Sequence, residues 1–207
     1  MNYKTLANTE TIKKVTLALF ERGVEAIVVD RKEEALEKIK SLIPAGASVM
    51  NGSSRTLEEI GYVKYLKSGA HAHGWNNLHE AILAEKDKEK QAILRKQSVL
   101  SDYYLGSVHA LAETGEMVIA SNSGSQLPHI VFTSPNIIFV AGGQKIVPTL
   151  TNALKRVNEY VLPLEDKNIM DKYNIHTMAS KVLIFQHENK MMGRKVRIIL
   201  VNEKLGY

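Results

Sequence analysis

Apolar positions divide the chain into alternating helical and extended stretches. In LANTETIKKVTLALFERG, Ile12, Val15 and Leu19 recur at helical spacing, and Gly23 supplies a C′ stop. The β-branched run VEAIVVD that follows has the composition of a buried strand. RKEEALEKIKSLI is a charged amphipathic helix halted by Pro44, Ala45 and Gly46, and ASVMNG is a second short strand. SSRTLEEIG places hydroxyls ahead of a short helix that carries Glu58 and Glu59. The order helix–strand–helix–strand–helix predicts a mostly parallel sheet flanked by helices, a three-layer α/β arrangement.

Further along, the stretch from Leu78 to Tyr104 is charged, with Ala81, Ile82, Ala92, Ile93 and Leu94 as its apolar points. It predicts a helical insertion over residues 75–104 that covers the sheet. Strand patterns return in VHALAE, EMVIAS and NIIFVAGG. The helix IVPTLTNALKRVNEYV follows, with Pro148 in its first turn, and then a short helix in LPLEDKNIMDKYN. KVLIFQHE and KVRIILVNEKLGY predict a terminal strand pair around NKMMGR. With neither repeats nor low-complexity segments, residues 1–207 are expected to be one domain, with residues 1–23 its N-terminal helix.

Composition narrows the function classes. The sequence contains no cysteine, which excludes disulfides, thiol nucleophiles, and cysteine-held zinc or iron–sulfur clusters in this chain. No apolar run is long enough for a membrane-spanning helix, and the N-terminus lacks the pattern of a signal peptide, so a soluble cytoplasmic protein is expected. The net charge of +5 is spread over stretches such as AEKDKEKQAILRK, where basic and acidic residues interleave. That pattern describes solvated helix faces rather than a nucleic-acid surface, which calls for a basic patch with aromatics. A mildly positive field still favours a small anionic ligand.

Four stretches carry candidate chemistry. In VMNGSSRT a strand ends in a glycine turn before a helix, so Asn51, Gly52, Ser53, Ser54, Arg55 and Thr56 form either an anion cradle or an ordinary helix cap. In LAETGEMVIASNSGSQLP, Thr114 and Gly115 make a tight turn. Glu113 beside it is either a solvated strand-end carboxylate or a base or nucleophile. Ser121, Gly124 and Ser125 then line a ligand or cap the next helix. In VAGGQKIVP, Gly142 and Gly143 end a strand, and Lys145 stands at the start of a helix, where its charge opposes the helix dipole and invites an anion. In HAHGWNNLHE, His71, His73 and His79 are weak metal candidates with Glu80 as a fourth ligand, against a polar loop anchored by Trp75. His109 and His129 are isolated and read as structural. A Walker-type phosphate loop, a dinucleotide glycine fingerprint and a serine nucleophile elbow are all missing.

Together VMNGSSRTLEEIGYVKYL, LGSVHALAETGEMVIASNSGSQ, NIIFVAGGQKIVPTLTNALKRVNEYVLPLED and GRKVRIILVNEKLGY resemble the LUD domain family, named for lactate utilisation, in its short single-domain form. The resemblance implies a fold similar to ribose-5-phosphate isomerase and the coenzyme A transferases. In the sugar-phosphate members of that wider fold, a turn placed like NGSSRT holds the phosphate. In the transferases a glutamate followed by Asn-Gly attacks the thioester; here Thr114 stands in place of the Asn, and their glycine-rich oxyanion loop is not recognisable. The resemblance further implies service in lactate or organic-acid metabolism. An alternative reading is a non-catalytic partner that docks on an iron–sulfur oxidoreductase subunit, helped by a homodimer surface. The expected pocket gathers Asn51 to Thr56, Glu113 to Gly115, Ser121 to Ser125 and Gly142 to Lys145. It needs no cofactor; Glu113 is the catalytic group if the chain is an isomerase or a transferase.

Overall fold

The computed structural model describes residues 1–68 and 73–207. Among the described residues, ten strands form two sheets. In chain order they are β1 (Val24–Val29), β2 (Ser48–Asn51), β3 (Asn76–Asn77), β4 (Tyr103–Gly106), β5 (Ala110–Ala112), β6 (Met117–Ser121), β7 (Asn136–Gly142), β8 (Ile146–Val147), β9 (Lys181–Phe185) and β10 (Lys195–Val201). The larger sheet has the order β1-β10-β7-β4-β2-β3, and its strands are all parallel. The central pair β7 and β10 is apolar on both faces, as a strand covered on both sides must be. The smaller sheet, β8-β5-β6-β9, is mixed.

The helices are α1 (Thr9–Glu21), α2 (Lys32–Leu42), α3 (Arg55–Glu59), α4 (Tyr62–Ser68), α5 (Leu78–Ala84), α6 (Lys88–Gln97), α7 (Leu150–Arg156) and α8 (Leu162–Tyr173). On one face of the large sheet, Ile138, Val140 and Ile199 pack with Ala35 and Ile39 of α2 and with Leu57 and Tyr62. On the other, Phe139, Ile198 and Leu200 meet Val15 and Leu19 of α1, together with Leu111, Met117 and Ile119 of the small sheet. The outer face of the small sheet is covered in turn by Ala153 of α7 and by Val157. The expected α/β sheet flanked by helices is present, with a second sheet wedged into one of its flanks. Among the described residues, no helix is long and apolar enough to cross a membrane.

Several elements differ from their sequence patterns. KVLIFQHE and KVRIILVNEKLGY do not pair. β10 enters the centre of the large sheet between β1 and β7, whereas β9 joins the small sheet beside β6. The apolar run Ile198–Val201 of β10 suits the doubly covered site, and the exposed Lys181 and Val182 of β9 suit an edge. The charged region holds α5 and α6, and Tyr103 and Tyr104 leave it to begin β4. Pro148 precedes α7 instead of lying in its first turn; Thr149 is the N-cap, accepting from Asn152 N at 3.2 Å.

The β5–β6 hairpin forms as expected, with Leu111 opposite Met117 and Gly115 at φ +94°. A β-carbon at Gly115 would lie 2.7 Å from Arg22 Cδ and 3.1 Å from the carbonyl carbon of Ala18. Gly115→Ala is therefore expected to cost about 1–2 kcal/mol, from the unfavourable φ and the crowding of α1. Denaturant titration with an unchanged slope reads it out.

Candidate functional site

A cleft of about 750 Å³ opens at the carboxyl edge of the large sheet. Three strand-end loops supply its floor: Gly52 to Thr56 after β2, Gly106 to His109 after β4, and Lys145 after β7. Ligand crevices in parallel α/β sheets lie at this edge, because each strand hands the chain to a loop there. Ser121 to Gln126, after β6, forms a side wall. Residues from Val157 through α8 and on to Ala179 form the facing wall, with an apolar surface at Val161, Leu162 and Ile169.

At the floor stands Lys145, which is 4% exposed. It occupies a short 3₁₀ turn between β7 and β8, not the start of a helix. Its Nζ donates to Thr56 Oγ1 at 2.9 Å, Ser107 Oγ at 3.0 Å and Val108 O at 3.2 Å. Both hydroxyls are oriented to accept: Ser107 donates to Val140 O at 2.7 Å and Thr56 to Leu205 O at 3.4 Å. Among the described residues, no carboxylate reaches ion-pair distance of Nζ. Burial pulls the ammonium pKa down to about 7; repulsion from Arg156 adds to this and Glu59 opposes it.

Arg156, at the end of α7, is fully buried against the small sheet. Its Nη1 donates to His109 O at 2.5 Å, and its guanidinium carbon lies 5.2 Å from the centre of the Tyr160 ring. Nε and Nη2 have no hydrogen-bond partner. Burial lowers its pKa to about 10. His109 also faces the cleft. Its Nδ1 accepts from Ala120 N at 3.1 Å, which assigns the ring proton to Nε2. Burial, then Lys145 and Arg156, push its pKa down to about 3.

The NGSSRT loop is shaped by a neighbouring tyrosine. A β-carbon at Gly52 would stand 2.6 Å from Tyr104 Oη and 3.0 Å from Gln126 Oε1, so only glycine lets the two walls meet. Ser54 caps α3, accepting from Leu57 N at 3.2 Å, so the capping alternative is realised for this hydroxyl. Ser53 lines the cleft, and Arg55 turns to Glu58 and Glu59, at 3.4 and 3.2 Å. Asn51 ends β2 and lies outside the cleft lining. Ser121 and Ser125 line the wall; Gly124, at φ +84°, shapes the turn between them. Gly142 and Gly143 sit beneath the floor, against Leu205 and Leu6 respectively.

The structure does not bring Glu113, Thr114 and Gly115 into this cleft. β5 starts beside His109 and runs away from it, so its turn projects at the far end of the hairpin. There Glu113 is paired with Lys14 of α1 at 2.8 Å, and the Thr114 carbonyl accepts from Arg22 Nε at 2.6 Å. The carboxylates that do line the cleft are Glu58 of α3 and Glu165 of α8, and burial raises the pKa of Glu165. His71 lies outside the described residues. His73 bonds through Nδ1 to the Tyr65 hydroxyl and packs beside Trp75, while His79 is exposed on α5. Among the described residues, no three His, Cys, Asp or Glu side chains gather as a metal site. Trp75 is the aromatic anchor, donating to Ile43 O at 3.1 Å.

Sequence reasoning missed Ser107, Arg156 and the placement of His109 in the cleft lining. Arg156 left one signal: a charged residue beside Val157 on the buried stripe of ALKRV. Ser107 left none, since a lone serine after a strand is unremarkable.

The fold and cleft define a parallel α/β protein with a cation-floored pocket at its strand ends. The LUD domain family model matches residues 12–201, and the chain belongs to that family. A crystal structure of a DUF162 family protein from Deinococcus radiodurans shares the fold, with a TM-score of 0.55 at 11% identity; the match covers 96% of this chain and 100% of that one. No curated protein sequence matches the chain.

Proposed function

We propose that this LUD-domain protein binds a small anionic metabolite in the cleft and serves lactate or related organic-acid metabolism. The observation that carries the reading is Lys145: a buried ammonium on a cleft floor, held by three neutral oxygens and no carboxylate. A buried charge solvated only by dipoles has an unmet demand for a counter-ion. The rest of the lining points the same way, with Arg55, Arg95 and Lys172 set against Glu58 and Glu165. Membership of a family named for lactate utilisation supports the choice of organic acids.

Thermal shift against lactate, pyruvate, sugar phosphates and an acyl-coenzyme A tests this. A bound anion at 100 times its Kd stabilises the fold by about 2.7 kcal/mol. Lys145→Met, which keeps the volume and removes the charge, is expected to weaken binding by about 10- to 100-fold, the worth of one charge-assisted hydrogen bond. Absence of any response of the wild-type protein across the panel would overturn the reading. Because the ammonium titrates near neutrality, anion affinity is expected to fall as pH rises above about 7.

A further inference from the structure

We propose that the Lys145 amine condenses with the carbonyl carbon of a short 2-oxo carboxylate, forming an imine on the cleft floor. This rests on the anion-binding reading above and adds a covalent step to it. Three features of the geometry carry it. First, Lys145 lines the cleft while only 4% exposed, so its amine is largely desolvated beside a space that a small ligand can enter. Second, Nζ is hydrogen-bonded to three acceptors and ion-paired to none. The ammonium form uses all three acceptors. The neutral amine has two N–H bonds, so one acceptor is released and the lone pair is freed. Third, the Arg156 guanidinium, buried behind the floor with two unpartnered nitrogens, opposes a second positive charge beside it. A cation next to a desolvated lysine favours the nucleophilic amine.

The surrounding groups suit the substrate class. The cationic lining selects an anion, and the amine requires a carbonyl; a 2-oxo carboxylate has the two on adjacent carbons. His109, neutral with its proton on Nε2, offers a hydrogen-bond donor on the same floor for the carbonyl oxygen. The step balances without an oxidant or reductant. The nitrogen lone pair forms the C–N bond, the carbonyl π pair moves to oxygen, the two amine hydrogens pass to that oxygen, and water leaves.

The test uses the full-length protein with glyoxylate or pyruvate, reduced by borohydride and mapped by peptide mass spectrometry. The expected result is a single saturable adduct on Lys145, formed roughly 100-fold faster than on surface lysines, because far more of it is free amine at pH 7. Lactate, which has an anion but no carbonyl, is expected to compete without adding. Lys145→Arg is expected to lose the adduct; the mapping on wild type does not depend on that variant folding. Anion stabilisation with no adduct at Lys145, or adducts spread evenly over the lysines, overturns the imine and leaves the binding reading intact. Neither stabilisation nor adduct overturns both.

Discussion

Gly142→Ala is expected to lower stability by about 2–4 kcal/mol and to abolish the ligand response with it. The backbone at Gly142 is ordinary, at φ −72°, so the demand for glycine is steric. A β-carbon there would lie 2.3 Å from Gln144 Oε1, 2.5 Å from Glu203 O and 2.6 Å from Leu205 N. Two of the three atoms are backbone, and the third is tied down. Gln144 accepts from Leu205 N at 3.3 Å and donates to Leu205 O at 2.9 Å. The methyl group therefore displaces the 203–207 segment as a unit. That segment also holds Leu205 O against Thr56, and Gly206 N against Glu59 Oε2 at 2.7 Å. Thr56 is one of the three acceptors of Lys145, so the loss of packing passes to the floor of the cleft. Guanidinium denaturation measures the stability, and thermal shift with the anion panel measures the site.

Acidification from pH 7.5 to 4.5 is expected to remove about 4 kcal/mol through two buried histidines, roughly 2 kcal/mol from each. Burial holds His109 at a pKa of about 3 and His129 at about 4. His129 is stacked on Tyr104, ring centres 4.5 Å apart, and its Nδ1 lies 3.0 Å from Ser134 Oγ. Both folded values are below that of an unfolded histidine, near 6.5. Between those limits the unfolded chain takes up protons that the native protein does not. Stability is thus complete above about pH 6.5 and is lost as the pH falls toward 4. Denaturant curves at the two pH values, repeated on His109→Gln and His129→Gln, separate these residues from the carboxylates that titrate in the same range. Each variant is expected to flatten the pH dependence by about half; an unchanged slope would assign the acid loss elsewhere.

Much of the frame was legible in the chain. Periodicity is a local property, and it located α1, α2, β1, β2, β7 and β10 because each carries a continuous or regularly spaced apolar set. Gly23 and Ser54 acted as the stop and cap that their residue types predict. Pairing was less legible. β9 and β10 are close in sequence and were expected side by side, yet which sheet a strand joins depends on what covers its two faces. β4 was hidden because it follows the charged helices with no Gly or Pro between, whereas β2, equally short, is set off by Pro44 and Gly46.

For the site, the sequence by itself determined which loops can carry chemistry: NGSSRT, SNSGSQ and AGGQK each follow a strand, and each contributes to the cleft or its floor. It determined the absence of thiol chemistry and the cationic bias. Only the tertiary structure decided which ionisable groups count. Glu113 and Lys145 are both charged residues beside a glycine turn, and nothing local separates them. The direction of β5 carries Glu113 to the far end of a hairpin, where Lys14 neutralises it. Two segments distant in sequence, at Thr56 and at Ser107–Val108, close around Lys145, and among the described residues it has no ion-pair partner. Burial and charge neighbours are sums over the whole fold, and so the chemistry of these two side chains was settled by packing.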